Sequence, residues 1–280
     1  MKIKDLEKKY SVDILINTRD RHTEMVALLT SLKCQTFQNW SLIILDDASG
    51  VPLQNNFCFT TLIERLKIEG HNISVYRQTS STGVCKARNM LIQEQLKIGC
   101  GTHCLRLDDD VILEPDYIEQ LLNVLEQGYD IATGIVPTIN FPLFERENKF
   151  VKPIINEIKL DGDGKIVKFG DDCGFGYLEH EIIPAHHFRT NALYKTEIHE
   201  KIKYQENLSP VGFREETFFS LKAILAGYKI GCNTGAICWH YRTPSGGCRW
   251  GNYQGLVQSD DAIFKEWLLD KFKNHGNFLE

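Results

Sequence analysis

The chain has 280 residues, is 42% hydrophobic and 25% charged, and carries a formal net charge of −5. These values belong to an ordinary globular protein with a sizeable core, and they exclude a disordered or fibrous chain. The mild negative charge argues against nucleic acid as a partner, and no apolar run approaches the length of a membrane span.

Val12 to Thr18 is a short β-branched apolar run that predicts a buried strand, broken by Arg19 to His22 and followed by helical spacing over Glu24 to Leu32. Trp40 to Leu45 predicts a second strand, ending on Asp46-Asp47-Ala48-Ser49-Gly50. A helix over Thr61 to Ile68 leads to a third strand, Ile73 to Arg77. Gly83 then opens a helix, Val84 to Leu96, with Lys86, Arg88 and Asn89 on its first turns. A fourth strand, His103 to Leu107, runs into Asp108-Asp109-Asp110 and a helix from Pro115 to Glu126, where Pro suits the first turn because its missing N–H would have no partner. Ile131 to Val136 predicts a fifth strand. Strands alternating with helices predict an α/β fold with a mostly parallel sheet covered on both faces.

From about residue 140 the pattern changes. Ile154 to Phe169 reads as a hairpin around Asp161-Gly162-Asp163-Gly164, a turn that lacks the later ligands of a calcium loop. Phe188 to Lys195 predicts a strand, Glu215 to Leu225 a helix ending at Gly227, Tyr228 to Tyr241 an extended segment and Ala262 to Phe272 an amphipathic helix. Thr243 to Gly255, rich in Gly and aromatics and flanked by Arg242, reads either as a lid carrying Arg249 and Trp250 or as a surface loop. The expected organisation is one domain in two halves, 1–139 and 140–257, with a closing helix over 258–280. Nine cysteines without a CxxC pair are expected as reduced thiols. The charged segment Met1 to Lys9 has no signal-peptide core, so a cytoplasmic protein without a transmembrane segment is expected. Peripheral membrane contact and the oligomeric state stay open.

Three consecutive carboxylates repel one another, and at the end of a buried strand they cost stability unless a cation neutralises them. Asn17-Thr18-Arg19, Asp46-Asp47 and Asp108-Asp109-Asp110 all stand at carboxyl ends of predicted strands, which share one edge in a parallel sheet. Such an edge suits a nucleotide, with Mg²⁺ or Mn²⁺ bridging carboxylate and phosphate oxygens.

The ordered series Asn17-Thr18-Arg19-Asp20-Arg21, Leu45-Asp46-Asp47-Ala48-Ser49, Gly83 to Asn89, and Leu107-Asp108-Asp109-Asp110 through Pro115-Asp116 resembles the family 2 glycosyltransferases of the GT-A fold. Phe213-Arg214-Glu215-Glu216-Thr217 followed by Ala226-Gly227-Tyr228 is similar to that family's ED motif and the strand entry beyond it. The resemblance implies a metal-dependent inverting enzyme that moves a sugar from a nucleotide-sugar, a UDP-sugar first of all, to an acceptor hydroxyl. It implies a base pocket at Asn17, Thr18 and Arg19, Asp47 on the uracil, Arg88 near the base or diphosphate, and Asp108 or Asp109 on the ribose. Asp110 is the implied metal ligand, with Asp108 and His240 as further candidates. Glu216 is the implied general base, with Glu215 as the other candidate. His187, Arg189, Asn191 and Trp250 are acceptor-side candidates.

Two departures accompany the resemblance. The family's Tyr and Asn after the Thr are Arg19 and Asp20, so the stacking role of that Tyr does not carry over. The ED motif reads Glu-Glu, and a Glu can serve as base because its intrinsic pKa is close to that of Asp. Two other readings are a sugar-phosphate nucleotidyltransferase, disfavoured by the absence of Gly after the first strand, and a catalytically inactive sugar-nucleotide-binding scaffold.

Overall fold

The structure is a computed structural model that describes residues 2–98, 101–140, 143–144, 154–170, 176–177, 180–247 and 252–279. The first half runs α1 (Ile3–Lys9), β1 (Val12–Thr18), α2 (His22–Lys33), β2 (Trp40–Asp46), α3 (Phe57–Ile68), β3 (Ile73–Arg77), α4 (Val84–Ile98), β4 (His103–Leu107), β5 (Val111–Leu113), α5 (Tyr117–Glu126) and β6 (Ile131–Ile135). The second half adds the strands β7 (Leu143–Phe144), β8 (Ile158–Leu160), β9 (Ile166–Phe169), β10 (Gly176–Tyr177), β11 (Ile182–Pro184) and β12 (Ala192–Lys195). It closes with α6 (Thr196–Lys201), α7 (Glu215–Leu225), β13 (Ile230–His240) and α8 (Tyr253–His275).

The main sheet has the order β11-β13-β6-β12-β4-β1-β2-β3, with β5 paired to β13. β1 to β4 run parallel to one another, and β13 runs parallel to β6, whereas β12 is antiparallel to both β4 and β6. The expected parallel sheet therefore holds for its first half, and strands from the second half complete it. Gly134 and Ala236 show why small residues sit at the β6–β13 seam. A Cβ on Gly134 would run into the Ala236 backbone, beside the register shift between Cys232 and Ile237.

Each face buries its own apolar cluster. α2, α3 and α5 set Leu28, Leu32, Phe59, Tyr117 and Leu121 against Ile14, Ile16 and Ile44 on one face. α4, α7 and α8 set Leu91, Phe218, Phe219, Phe264 and Leu268 against Leu15, Ile43 and Tyr194 on the other. Successive residues of β1 thus supply opposite cores, the consequence of the two-residue period of a strand. Burial of each such side chain stabilises the fold by about 1.5–3 kcal/mol.

Several boundaries differ from the sequence expectation. α3 begins at Phe57, where Asn56 caps it by accepting from Phe59 N at 3.0 Å. α5 begins at Tyr117 rather than Pro115, whose carbonyl accepts instead from Thr36 N at 2.7 Å. α8 begins at Tyr253, inside the stretch expected as loop or lid. The 161–164 turn closes the β8–β9 hairpin, and its Asp161 Oδ1 is taken up by the backbone N–H groups of Asp163 and Lys165. Cys85, Cys104, Cys232 and Cys238 are buried free thiols and Cys34 and Cys58 exposed ones. The remaining three cysteines lie outside the described residues. No helix among those residues is long and apolar enough to cross a membrane.

Candidate active site at the carboxyl edge of the sheet

Parallel pairing aligns Ile16 with Leu107 and Thr18 with Asp46, so the residues after β1, β2 and β4 emerge side by side. They line a cavity of about 260 Å³ together with Arg88, Phe169, His187, Arg189, Glu216, His240 and Tyr253. Asn17, Thr18, Arg19, Asp47, Asp108, Asp109 and Asp110 all stand on its wall. The convergence read from strand ends is therefore present.

The acidic cluster is buried and met by arginines. Asp109 is 7% exposed and Asp110 1%. Burial pushes Asp108 and Asp109 up to about 6; Arg106 and Arg21 respectively oppose that rise, while neighbouring carboxylates add to it. Arg21, 6% exposed, sets Nη1 at 2.8 Å from Asp109 Oδ1 and 2.7 Å from Asp110 Oδ2. Arg88 donates to Asp108 Oδ1 at 2.8 Å and to Asn17 Oδ1 at 3.3 Å. Arg106, 3% exposed in the middle of β4, reaches Asp108 Oδ1 at 3.0 Å and Glu215 Oε1 at 2.8 Å. Neither Arg21 nor Arg106 was among the expected site residues. Arg106 had a signal: a charge between Leu105 and Leu107 in a strand buried on both faces needs a buried partner.

β5 explains the place of His240. Val111 pairs with His240 across the antiparallel β5–β13 ladder, and Tyr241 N donates to Asp110 O at 2.9 Å. This sets His240 Nε2 at 3.1 Å from Asp110 Oδ1. One ligand atom each from Asp108, Asp110 and His240 lie within 4.8 Å of one another. Two carboxylate oxygens and an imidazole nitrogen form a donor set suited to Mn²⁺ or Mg²⁺ with phosphate oxygens completing the shell. The residues present therefore fit a divalent cation.

The two glutamates at the start of α7 have opposite environments. Glu215 is 2% exposed and tied to Arg106 and, by a very close contact, to Arg88. Glu216 keeps 23% of its side chain exposed, lines the cavity and stands 3.8 Å from Arg106 Nη2. Both line the cavity, but adjacent helical residues point about 100° apart, and only Glu215 is held within hydrogen-bond reach of the arginines. The segment before α7 is held by α8: Asp260, fully buried, accepts from Ser209 N at 2.6 Å, Ser209 Oγ at 2.8 Å and Phe213 N at 2.9 Å.

Other expected residues do local work. Asp47 is 3% exposed and accepts from Ser81 Oγ at 2.7 Å, Thr82 N at 2.9 Å, Thr82 Oγ1 at 3.1 Å and Gly83 N at 3.3 Å. It anchors the turn into α4 as well as facing the cavity. Asn191, with no exposure, accepts from Asp108 N at 3.0 Å and donates to Cys238 Sγ at 2.8 Å, so it stands behind the acidic cluster rather than in the cavity wall. His187 is 1% exposed, with Nε2 at 3.0 Å from Gly170 O and its ring against Phe169. Burial pushes it down to about 4. Arg189 lines the cavity. Trp250 and Arg249 lie outside the described residues. In the part of the expected lid that is described, Gly247 N donates to Arg19 O at 2.8 Å, and Gly246, at φ +78°, packs on the Arg19–Arg21 backbone where a Cβ would clash.

The family profile described as Glycosyl transferase family 2 matches residues 13–183. An uncharacterized glycosyltransferase of Haemophilus influenzae is 30% identical over 132 residues, which are 46% of this chain and 37% of that protein. The match thus spans well under half the length of that curated relative. Among solved structures, GalNAc-T7 with UDP, GalNAc and Mn²⁺ superposes with a TM-score of 0.61 at 14% identity, over 82% of this chain and 43% of that one. Residues 1–349 of TarS from S. aureus, in complex with UDP-GlcNAc, superpose with a TM-score of 0.58 at 15% identity, over 94% of this chain and 72% of that one. At such identities these two likenesses establish the fold. With a family profile matched across more than half its length and a GT-A sheet beneath its acidic edge, the chain belongs to glycosyl transferase family 2.

Proposed function

We propose that the protein is a metal-dependent inverting glycosyltransferase that moves a sugar from a UDP-sugar to an acceptor hydroxyl. The observation that carries this reading is the division between the two glutamates: Glu215 is locked between arginines, while Glu216 opens into the cavity that also holds Asp108, Asp110 and His240. Family membership and the UDP and UDP-GlcNAc complexes of the TarS fold relative support a nucleotide-sugar donor.

In this reading Asn17, Thr18, Arg19 and Asp47 surround the base, and Asp108 or Asp109 meets the ribose. Asp108, Asp110 and His240 would hold Mn²⁺ or Mg²⁺, which when bound would supply Lewis-acid neutralisation of charge on the diphosphate. Glu216 takes the proton of the acceptor hydroxyl as that oxygen bonds to the anomeric carbon, and the bond from that carbon to the diphosphate oxygen breaks on the opposite face. Arg106 and Arg88 keep Glu215 from competing for the proton, because an ion-paired buried carboxylate is a poor base.

The test is release of UDP from a panel of UDP-sugars with Mn²⁺ or with EDTA, in water and with hydroxyl acceptors. Metal-dependent UDP release from at least one donor is expected. Release of pyrophosphate from UTP and a sugar phosphate would instead establish a nucleotidyltransferase. Nucleotide binding without turnover of any donor would favour a scaffold.

A further inference from the structure

Arg21 stands in the acidic cluster as a resident cation. Its Nη1 donates to Asp109 Oδ1 at 2.8 Å and lies 2.7 Å from Asp110 Oδ2, while Asp110 Oδ1 faces His240 Nε2 at 3.1 Å. Asp110 is therefore shared, with one oxygen on the guanidinium and the other toward the cluster of candidate metal ligands. Asp108 is likewise shared with Arg88 and Arg106, at 2.8 and 3.0 Å. Only 7% of the Arg21 side chain and 2% of that of Asp110 are exposed, so water screens little of this charge.

Arg21 is also held in place. Gly246 and Gly247 lie on its side chain: a Cβ on Gly246, at φ +78°, would stand 2.8 Å from Arg21 Cγ, and one on Gly247, at φ +59°, 3.3 Å from Nη2. Gly247 N donates to Arg19 O at 2.8 Å, which fastens this segment to the turn that carries Arg21. On the other side Met25 N donates to Arg21 O at 3.0 Å in the first turn of α2. Withdrawal of the guanidinium would require the glycine segment to lift, and it would leave Asp109 and Asp110 facing one another without their cation. A metal ion that binds here does so beside Arg21.

A dication brought alone to Asp108, Asp110 and His240 meets carboxylates whose charge is already taken up in part by guanidinium groups. It also meets the repulsion of a fixed positive charge in a buried site. A diphosphate supplies both the missing negative charge and further oxygen ligands. We propose that Arg21 makes cation binding at this cluster conditional on the diphosphate, so that the metal enters with the nucleotide rather than before it. The proposal rests on the glycosyltransferase reading and adds to it the residue that couples the two ligands. The coupling is reciprocal, so Arg21 sets how much Mn²⁺ gains from UDP and how much UDP gains from Mn²⁺.

The test is equilibrium dialysis of the full chain against Mn²⁺, with and without saturating UDP, counting the metal on both sides of the membrane. The wild type is expected to bind Mn²⁺ about tenfold or more tightly with UDP than without it, within the usual range of coupling between two ligands. Arg21→Gln should bind Mn²⁺ alone about tenfold more tightly than the wild type does, which shrinks the gain from UDP. Arg21→Lys keeps the charge and should stay near the wild type. An Arg21→Gln chain that unfolds in buffer but folds in Mn²⁺ supports the proposal equally, since the dication then replaces the guanidinium. Wild-type binding of Mn²⁺ as tight without UDP as with it overturns the proposal. So does Arg21→Gln binding Mn²⁺ alone no more tightly than the wild type, or Arg21→Lys behaving like Arg21→Gln. Arg21→Gln that stays unfolded in Mn²⁺ assigns Arg21 to the fold alone and overturns it too. Failure of the wild type to bind UDP in Mn²⁺ refutes the glycosyltransferase reading itself, and the titrations with Mn²⁺ alone are read independently of that result.

Discussion

Glu215→Gln is the substitution with the largest expected effect on stability. Glu215 is 2% exposed, and Arg88 and Arg106, its partners, keep 7% and 3% of their side chains exposed. The amide preserves shape but removes the charge, leaving Asp108, at 2.8 and 3.0 Å, and Glu216, 3.8 Å from Arg106, to neutralise the two guanidinium groups. Breaking a buried ion pair by neutralising one partner costs about 3–5 kcal/mol. Because Asp108 remains, the lower end, about 3 kcal/mol, is expected. For a domain of this size that lowers Tm by about 6–12 °C. Glu216→Gln should shift stability by no more than about 0.5–1 kcal/mol, since its side chain is 23% exposed and its nearest cation stands 3.8 Å away. Urea unfolding of both variants at pH 7 reads the difference directly. If Glu215→Gln unfolds like the wild type, or Glu216→Gln loses as much, the two environments are wrongly assigned.

Three further outcomes are expected. Asp110→Asn should abolish the gain in UDP affinity that Mn²⁺ brings, because it removes one of the three clustered ligand atoms; calorimetry with Mn²⁺ and with EDTA measures it, and an unchanged metal dependence counts against the site. Asp47→Ala should weaken UDP binding and also cost about 1–3 kcal/mol, because Ser81, Thr82 and Gly83 lose their shared acceptor; a variant with normal Tm and normal UDP affinity would contradict both roles. His187, held down to about 4 by burial, contributes stability that is intact above the ordinary histidine value of about 6.5 and is lost as pH falls through 4. The full shift corresponds to about 3 kcal/mol. His187→Asn should therefore show a shallower stability loss between pH 6.5 and 4 than the wild type; equal slopes would contradict the burial argument. The difference between the two is the test, because Asp108 and Asp109, raised to about 6, act in the opposite sense.

The nucleotide half was legible because its signals are local. Val12 to Thr18, Trp40 to Leu45 and His103 to Leu107 are apolar runs of strand length, and polar residues at their ends mark the edge of a parallel sheet. The direction of β12 was not legible: Ala192–Lys195 has the same composition whichever way it runs, and only pairing with β4 and β6 fixes it. β5, three residues long, is below the length at which periodicity carries information. Within the site, the carboxylates drew notice because three in a row at a strand end repel one another, whereas Arg21 stood among polar residues that only marked the end of the strand. Asn191 read as an acceptor-side candidate because a polar residue within the predicted strand Phe188 to Lys195 carries no sign of which way it faces. Its burial behind Asp108 follows from the strand insertion.

The central claim is that Glu216 removes the acceptor proton, and Glu216→Gln tests it most directly. With UDP-sugar and Mn²⁺ saturating, kcat should fall by about 10²–10⁴-fold while Kd for UDP stays within about twofold of the wild type. A variant that keeps wild-type kcat, or one that loses donor affinity in step with kcat, would contradict the claim.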